Sequence, residues 1–425
     1  MSLLILMITA IYGAALVFFL VLCFPRLLCW SYAFKKQERI TNEKSERLAV
    51  LIPARNESMS VGALFDCLNT QTYPRDAFDV YVIVKEENDP TITMAQEKGF
   101  FTHVAADQTC KSDALDSCLQ EILGTDPDAY DAYIILDADC TLDTDFLKQM
   151  NNALASGADI ICSKKKVKNY FWGTRKEQPM SACCNAIIWT LLDNMGNRYK
   201  SAKGYPCFTV GTGLMLRSNV IKEKNGWPYK ATMTEDVELM HEAVLDNRKF
   251  FFYEYAVIYM EEAQKLSMTN LRRRRWLTGV VDGERIYAKQ VSKNCRFGDR
   301  YYTSALNYIY GYVGTSVAYT AVMAVLTVIL AIAKNPLFAI SALLAVISVA
   351  VIYLSFFITT VVALLSDREN IKLPLYKKIA LTFVHPLFYM QYIFIIGKAL
   401  LTRGNRTWEV IERVDFSETK ETSHG

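Results

Sequence analysis

"YDAYIILDADC", Tyr130 to Cys140, is an apolar, β-forming run that stops abruptly on two aspartates spaced by one residue. It reads as a strand, with Asp137 and Asp139 on the turn that follows. A carboxylate pair on such a turn suits one hard cation and leaves coordination sites open for phosphate oxygens. Two acids so spaced are also common surface decoration, so the neighbouring segments decide what they mean.

Those segments alternate. Upstream, "RLAVLIP" is a short apolar run followed by the polar turn "ARNES" and the helical stretch "VGALFDCLNTQ". Then come "FDVYVIV", a polar turn, a short helix around Met94, "FFTHVAA", and the helix "KSDALDSCLQEIL" that leads into the opening strand. Strand then helix, repeated, predicts an α/β domain with a mostly parallel, Rossmann-like sheet covered by helices on both faces. Ligands of such sheets gather at the carboxyl ends of the strands. The residues there are polar: Arg55, Asn56 and Glu57 after the first strand, Lys85 and Glu86 after the second, Asp137 and Asp139 after the fourth. Downstream, "GTG" (Gly211 to Gly213) precedes the apolar strand "LMLR". "TEDVELMHEAV" follows, with Thr234 as a predicted N-cap and Glu235, Asp236 and Glu238 in the first helical turn. Capping needs one side chain, and an acid cluster beside a cation site is a candidate source of a general base.

The 425 residues are 52% hydrophobic with a net charge of only +3, which speaks against nucleic acid as partner. The apolar excess collects at the ends. Leu3 to Phe24 is uncharged and long enough to span a bilayer, with no basic region before it and no small-x-small cleavage site after it. Tyr310 to Ala333 and Leu337 to Leu365, separated by "KNP", predict a helical hairpin. Ile379 to Leu401 carries His385-Pro386 near its middle, which predicts either a kinked span or interfacial pieces. Arg26, Lys35, Lys36 and Arg39 follow the first apolar segment, so the positive-inside rule places the central region in the cytosol; the expected location is multi-pass in the plasma membrane. The basic loop "SDRENIKLPLYKK" agrees, whereas a four-span count puts the basic tail outside. The expected organisation is a membrane helix and its exit over 1–32, the α/β domain over 45–296, interfacial and membrane helices over 297–401, and a polar tail over 402–425. Eleven cysteines form no CxxC or CxxH pair and histidines number four, which speaks against structural zinc.

"NLRRRRWLTG", Asn270 to Gly279, closes the central domain. Together with "IPARNE", "KSDAL", "DADC", "GTG" and "TED", in that order, it resembles the membrane-embedded family-2 glycosyltransferases, which include the cellulose, hyaluronan and poly-N-acetylglucosamine synthases. The closing "TWEVIERVD" (Thr407 to Asp415) resembles tails of the last type. The resemblance implies a GT-A fold and an inverting transfer from a nucleotide-sugar donor, a UDP-sugar, to a growing β-linked polysaccharide or a lipid-linked acceptor. It also implies a Mg2+ or Mn2+ cofactor, a lipid bilayer around the helices, and an export partner for an extruded product.

Carried onto this sequence, the motifs place Asp137 near ribose and uracil, Asp139 on the metal of the diphosphate, and Asp236 as general base. Arg275 would hold the departing diphosphate and Trp276 line the acceptor site. Pro53, Arg55, Glu57 and Lys111 would contact the donor, and Gly213 and Glu235 the acceptor. Two positions depart from the family. Arg272 stands where QxxRW has glutamine, and it can still donate to phosphate. "VIVKEEND" lacks the usual aspartate after the second strand, so Glu86 is the residue left for the base contact. Arg273 and Arg274 are expected to face solvent, phosphates or lipid head groups. Single-sugar transfer to a lipid and a catalytically degenerate subunit are the alternatives.

Overall fold

The computed structural model describes residues 29–168, 178–263, 265–295, 312–332 and 338–401, together with positions 7, 301, 302, 304 and 334. The predicted first membrane helix, Leu3 to Phe24, lies outside the described residues apart from Met7, as does the tail from 402 onward.

The alternation in the sequence becomes β1 (Leu48–Pro53), α1 (Gly62–Asn69), β2 (Phe78–Val84), α2 (Pro90–Glu97), β3 (Phe101–Val104), α3 (Lys111–Thr125) and β4 (Ala132–Ile135). These four strands are parallel in the order β3-β2-β1-β4. Each face of β1 is buried. Leu48, Val50 and Ile52 pack into one core, and Ala49 and Leu51 into another on the opposite side. A strand covered on both faces must be apolar throughout, which is why "LAVLI" shows no alternation.

Beyond β4 the sheet changes character. β5 (Thr141–Leu142), α4 (Phe146–Leu154), β6 (Ile160–Val167), α5 (Met180–Thr190), a π-helical turn (Leu191–Asn197), α6 (Arg198–Ala202) and β7 (Leu214–Arg217) follow. Then come α7 (Ser218–Lys224), α8 (Glu235–Leu245) and β8 (Phe250–Met260). The full order is β3-β2-β1-β4-β7-β6-β8-β5. β7 runs antiparallel to both neighbours and β5 antiparallel to β8, so only four of the seven adjacent pairs are parallel. The sheet is therefore mixed, where the alternation predicted a mostly parallel one. β7 returns antiparallel to both neighbours after the long connection that carries α5, the π-helical turn and α6, with "GTG" at its entry.

Strand β6 contains Lys164, Lys165 and Lys166, and the first two are buried. Lys165 is hydrogen-bonded locally: its backbone N–H donates to Asp193 Oδ2 at 2.7 Å and its ammonium to the Ser163 carbonyl at 2.7 Å. Lys164 lies 3.9 Å from Asp367, at the end of the apolar helices.

α9 (Leu266–Asn294) carries the arginine run, and α10 (Tyr312–Ile332), α11 (Phe338–Ser366) and α12 (Leu375–Leu401) complete the described chain. α12 runs unbroken through Pro386. Among the described residues two helices, Phe338–Ser366 and Leu375–Lys398, are long and apolar enough to cross a membrane by length and composition. They are not detached from the sheet domain. Val167, Cys183, Cys184 and Ile187 share a core with Ala363, Ile371, Leu373, Leu381 and Phe388, and Lys377 Nζ donates to the Gln178 carbonyl.

Candidate active site

The sheet order reverses between β1 and β4, whose following strands in the chain lie on opposite sides, and their carboxyl ends are where ligands of such sheets gather. Asp137 follows β4 there. Its backbone N–H donates to Thr212 Oγ1 at 3.0 Å, tying the acidic turn to the "GTG" segment. Lys111, the first residue of α3, reaches across. Its ammonium donates to Asp137 Oδ1 at 2.7 Å and to the Gly211 carbonyl at 2.6 Å, and it lies 3.3 Å from Glu235 Oε1. Burial opposes a charge on Lys111, but Asp137, Glu235 and Asp236 outweigh it and hold the ammonium above its ordinary pKa.

Asp236 opens the other wall. Its Oδ2 accepts from the Gly211 N–H at 2.8 Å and its Oδ1 from the Val237 N–H at 2.9 Å, while its carbonyl accepts from Thr209 Oγ1 at 2.7 Å. Burial and the neighbouring Glu235 push its pKa up to about 7, against the opposing pull of Lys111. A carboxylate of that strength is a matched proton acceptor near neutral pH. Arg275 stands within electrostatic reach of Glu235, Asp137 and Asp236, with its own pKa lowered by burial and by Arg272. The structure thus brings Lys111, Asp137, Glu235, Asp236 and Arg275 together from four separate segments.

Asp139 is half-buried on the same turn, and its carbonyl accepts from Lys168 Nζ at 2.9 Å. Among the described residues no cluster of three or more His, Cys, Asp or Glu side chains forms a complete metal cage. A pair of strand-end carboxylates is nevertheless a hard-oxygen donor set of the kind Mg2+ or Mn2+ uses when phosphates fill the remaining positions, so Asp137 and Asp139 fit that role.

Other predicted positions fall differently. Gly213 sits at φ +64°, and a Cβ there would come within 2.0 Å of Ser163 Oγ and 2.8 Å of Ile258. Its side is filled by the sheet. The glycine facing the acids is Gly211, where a Cβ would meet Glu235 Oε1 at 2.8 Å and Lys111 Nζ at 3.1 Å. Thr234 occupies the N-cap position of α8, but its side chain makes no cap hydrogen bond and lies instead against Gly279 of α9. After β2, the acid engaged by the fold is Asp89, which caps α2 through Thr91 N–H at 2.9 Å and accepts from Asn56 N–H at 3.1 Å. Asp89 thereby fixes the turn holding Arg55 and Glu57, with Asn56 at φ +56°. Pro53 ends β1 beside this turn, Arg55 and Glu86 are exposed, and Glu57 Oε2 accepts from Ser60 Oγ at 2.6 Å.

The arginine run divides in an unexpected way. Arg272 Nη1 donates to the Glu261 carbonyl at 3.0 Å and lies 3.5 Å from Glu262 Oε2, with the guanidinium 5.9 Å from the Trp276 ring centre. Arg273, expected at the surface, is 1% exposed. Its guanidinium sits 3.7 Å from the Phe388 ring centre and 4.4 Å from that of Tyr392, and Nη2 donates to Asn185 Oδ1 at 2.7 Å. The sequence period of α9 turns this residue toward α12, so it serves packing and not head groups. Trp276 meets Trp189 of α5 edge-on at 5.8 Å, a partner no motif announces.

Residues 133–365 match the model of the family described as glycosyl transferase family group 2. Among curated proteins none matches the chain in sequence. Among solved structures, the mannosyltransferase PcManGT from Pyrobaculum calidifontis, in complex with GDP-Man and Mn2+, is similar over 92% of this chain and 97% of its own, at 13% identity and a TM-score of 0.56. TarS 1-349 from S. aureus, in complex with UDP-GlcNAc, covers 81% and 92% at 12% identity, with a TM-score of 0.38. The first of these supports a shared GT-A-like fold. With more than half of its length matched, the chain belongs to glycosyl transferase family group 2 and is a glycosyltransferase.

Proposed function

We propose that this chain is an inverting, membrane-embedded polysaccharide synthase that moves a sugar from a UDP-sugar to the end of a β-linked polymer. One observation carries the reading: a carboxylate poised near pH 7, Asp236, faces Lys111 and Asp137 at the strand ends, with Arg275 close by. Base and anion-stabilising groups are the two things this chemistry needs.

Asp236 takes the proton of the acceptor hydroxyl as its oxygen bonds to the anomeric carbon. The carbon–oxygen bond to the diphosphate breaks on the opposite side, and its electron pair leaves with the nucleotide, so an α-linked donor gives a β-linked product. Arg275 stabilises the departing charge, and Lys111 holds Asp137 in place to meet the nucleoside. At an effective dielectric near 20, a unit charge pair at ~4 Å is worth about 4 kcal/mol before desolvation, enough to matter to the barrier. Asp139, with Asp137 beside it, would hold a divalent cation, which when bound neutralises charge on the diphosphate. Trp276 offers the apolar side of an acceptor pyranose an indole face.

Bilayer insertion is supported by the outward faces of the last helices. Leu343 and Val346 of α11 and Leu387 and Phe394 of α12 are exposed and apolar, a pattern suited to lipid. The decisive experiment is a donor screen in nanodiscs with Mn2+, Mg2+ or EDTA, followed by product sizing. Nucleotide release that stops in EDTA, with a polymeric product, is the expected result. A single-sugar lipid product would replace the processive reading, and no sugar-nucleotide binding by the folded protein would leave a degenerate subunit.

A further inference from the structure

We infer that Glu262 is a positioning residue and that Trp189 completes, with Trp276, a two-tryptophan platform for the acceptor sugar. The inference rests on the reading of Trp276 as an acceptor-site residue and deepens it.

A half-buried indole on a helix has free rotation about two bonds unless its neighbours remove it. Trp276 has such neighbours on two elements. The Trp189 ring stands edge-on at 5.8 Å with the planes at 73°, and the Arg272 guanidinium lies 5.9 Å from its ring centre. Both converge on one carboxylate. Glu262 Oε1 accepts from Trp189 Nε1 at 2.8 Å, and Oε2 accepts from Asn185 Nδ2 at 2.9 Å and lies 3.5 Å from Arg272 Nη1. Glu262 is only 2% exposed, so it does not reach substrate itself and acts through the groups it holds. Trp189 remains half-buried like Trp276, leaving aromatic surface for a pyranose.

The carboxylate is suited to this work. Two oxygens accept from an indole and an amide on α5 and face a guanidinium on α9, fixing one helix against the other. A buried charge bonded on several sides is held rigidly, because losing any one contact leaves it under-solvated. Asn185 extends the link: its Oδ1 accepts from Arg273, which is stacked on Phe388 and Tyr392 of α12. The platform is therefore referenced to the apolar helices as well as to the catalytic domain.

The test uses the full chain in nanodiscs with Glu262→Ala, Glu262→Gln, Trp189→Phe, Trp276→Phe and Trp276→Ala. Two indoles this close give an exciton couplet in circular dichroism, seen as the difference between wild type and either tryptophan variant. The couplet is expected to vanish in Glu262→Ala and to weaken in Glu262→Gln. Its persistence at full strength in either, or its absence from wild type, overturns the proposal; if Glu262→Ala fails to fold, Glu262→Gln decides. As a kinetic arm, the isolated wild-type product is re-added as acceptor. Glu262→Gln and Trp189→Phe should each raise the acceptor KM roughly tenfold with a smaller change in kcat. Their combination should cost less than the sum, as for groups acting through one another. A fall in kcat at unchanged KM, or strict additivity, also overturns it. If Trp276→Ala leaves the acceptor KM unchanged, the parent reading of Trp276 fails, whatever the couplet shows.

Discussion

Asp236 is where a single side chain decides most. Its carboxylate is held by two backbone N–H groups that favour the charged form, yet burial and Glu235 prevail and raise its pKa to about 7. With Asp236 as the proposed base, which must be deprotonated to act, kcat/KM measured with donor limiting should rise with pH through about 7 and level off above it. Glu235→Gln removes one cause of the raised pKa and should move that rise to lower pH. A profile flat from pH 5 to 8 in the wild type would sink the assignment. Asp236→Asn should lower transfer by roughly 10²- to 10⁴-fold, the range of a lost general base, while donor binding persists.

Among the elements, the contact between α8 and α9 sets the spacing of Arg275 from the acids on which the proposed mechanism depends. Gly279 lies one turn beyond Arg275, and a Cβ there would come within 2.4 Å of Thr234 Oγ1 and 2.5 Å of its methyl group. Gly279→Ala should therefore push α9 away from the acids of α8. The expected outcome is a loss of about 1–3 kcal/mol of stability, typical of overpacking, and a fall in kcat. Chemical denaturation with parallel kinetics checks this. Gly213→Ala meets Ser163 at 2.0 Å from a left-handed backbone and should cost stability in the sheet itself. Gly124, inside α3, has no atom within 4 Å of an added Cβ, so Gly124→Ala serves as the clash-free control and should raise stability by up to about 1 kcal/mol.

At the scale of the molecule, the sheet domain and the apolar helices are joined by charged and polar side chains as well as by packing. Lys164 faces Asp367 across the junction, and Arg273 is inserted between α9 and α12. Removing the guanidinium in Arg273→Met should lower the thermal midpoint in nanodiscs, the stack being worth about 2 kcal/mol when desolvated. Arg274→Met, one position further around the helix and only partly buried, should shift it much less. Equal shifts would mean that the arginine run acts only through its charge.

How much of this was legible in advance follows from where each signal comes from. β1 and β4 are legible because strands buried on two faces must be apolar without interruption, β2 and β7 as short runs of mostly β-forming apolar residues, and α3 and α8 because helical periodicity is local. Asp137 and Asp236 are legible because strand ends and helix starts are chain-local places, whereas Lys111 is marked only by the family resemblance. β6 could not be read, since "SKKKV" is polar by composition and is made a strand only by Asp193 and the strands beside it. Arg273 was misjudged for the same reason: four adjacent arginines look alike along the chain, and only the packing of α12 separates one from its neighbours. Gly211 was distinguished from Gly213, and Trp189 found at all, only when segments far apart in sequence met in space. Periodicity and turn chemistry are properties of a dozen residues, whereas burial, pairing and a raised pKa belong to whichever distant groups the fold brings within a few ångströms.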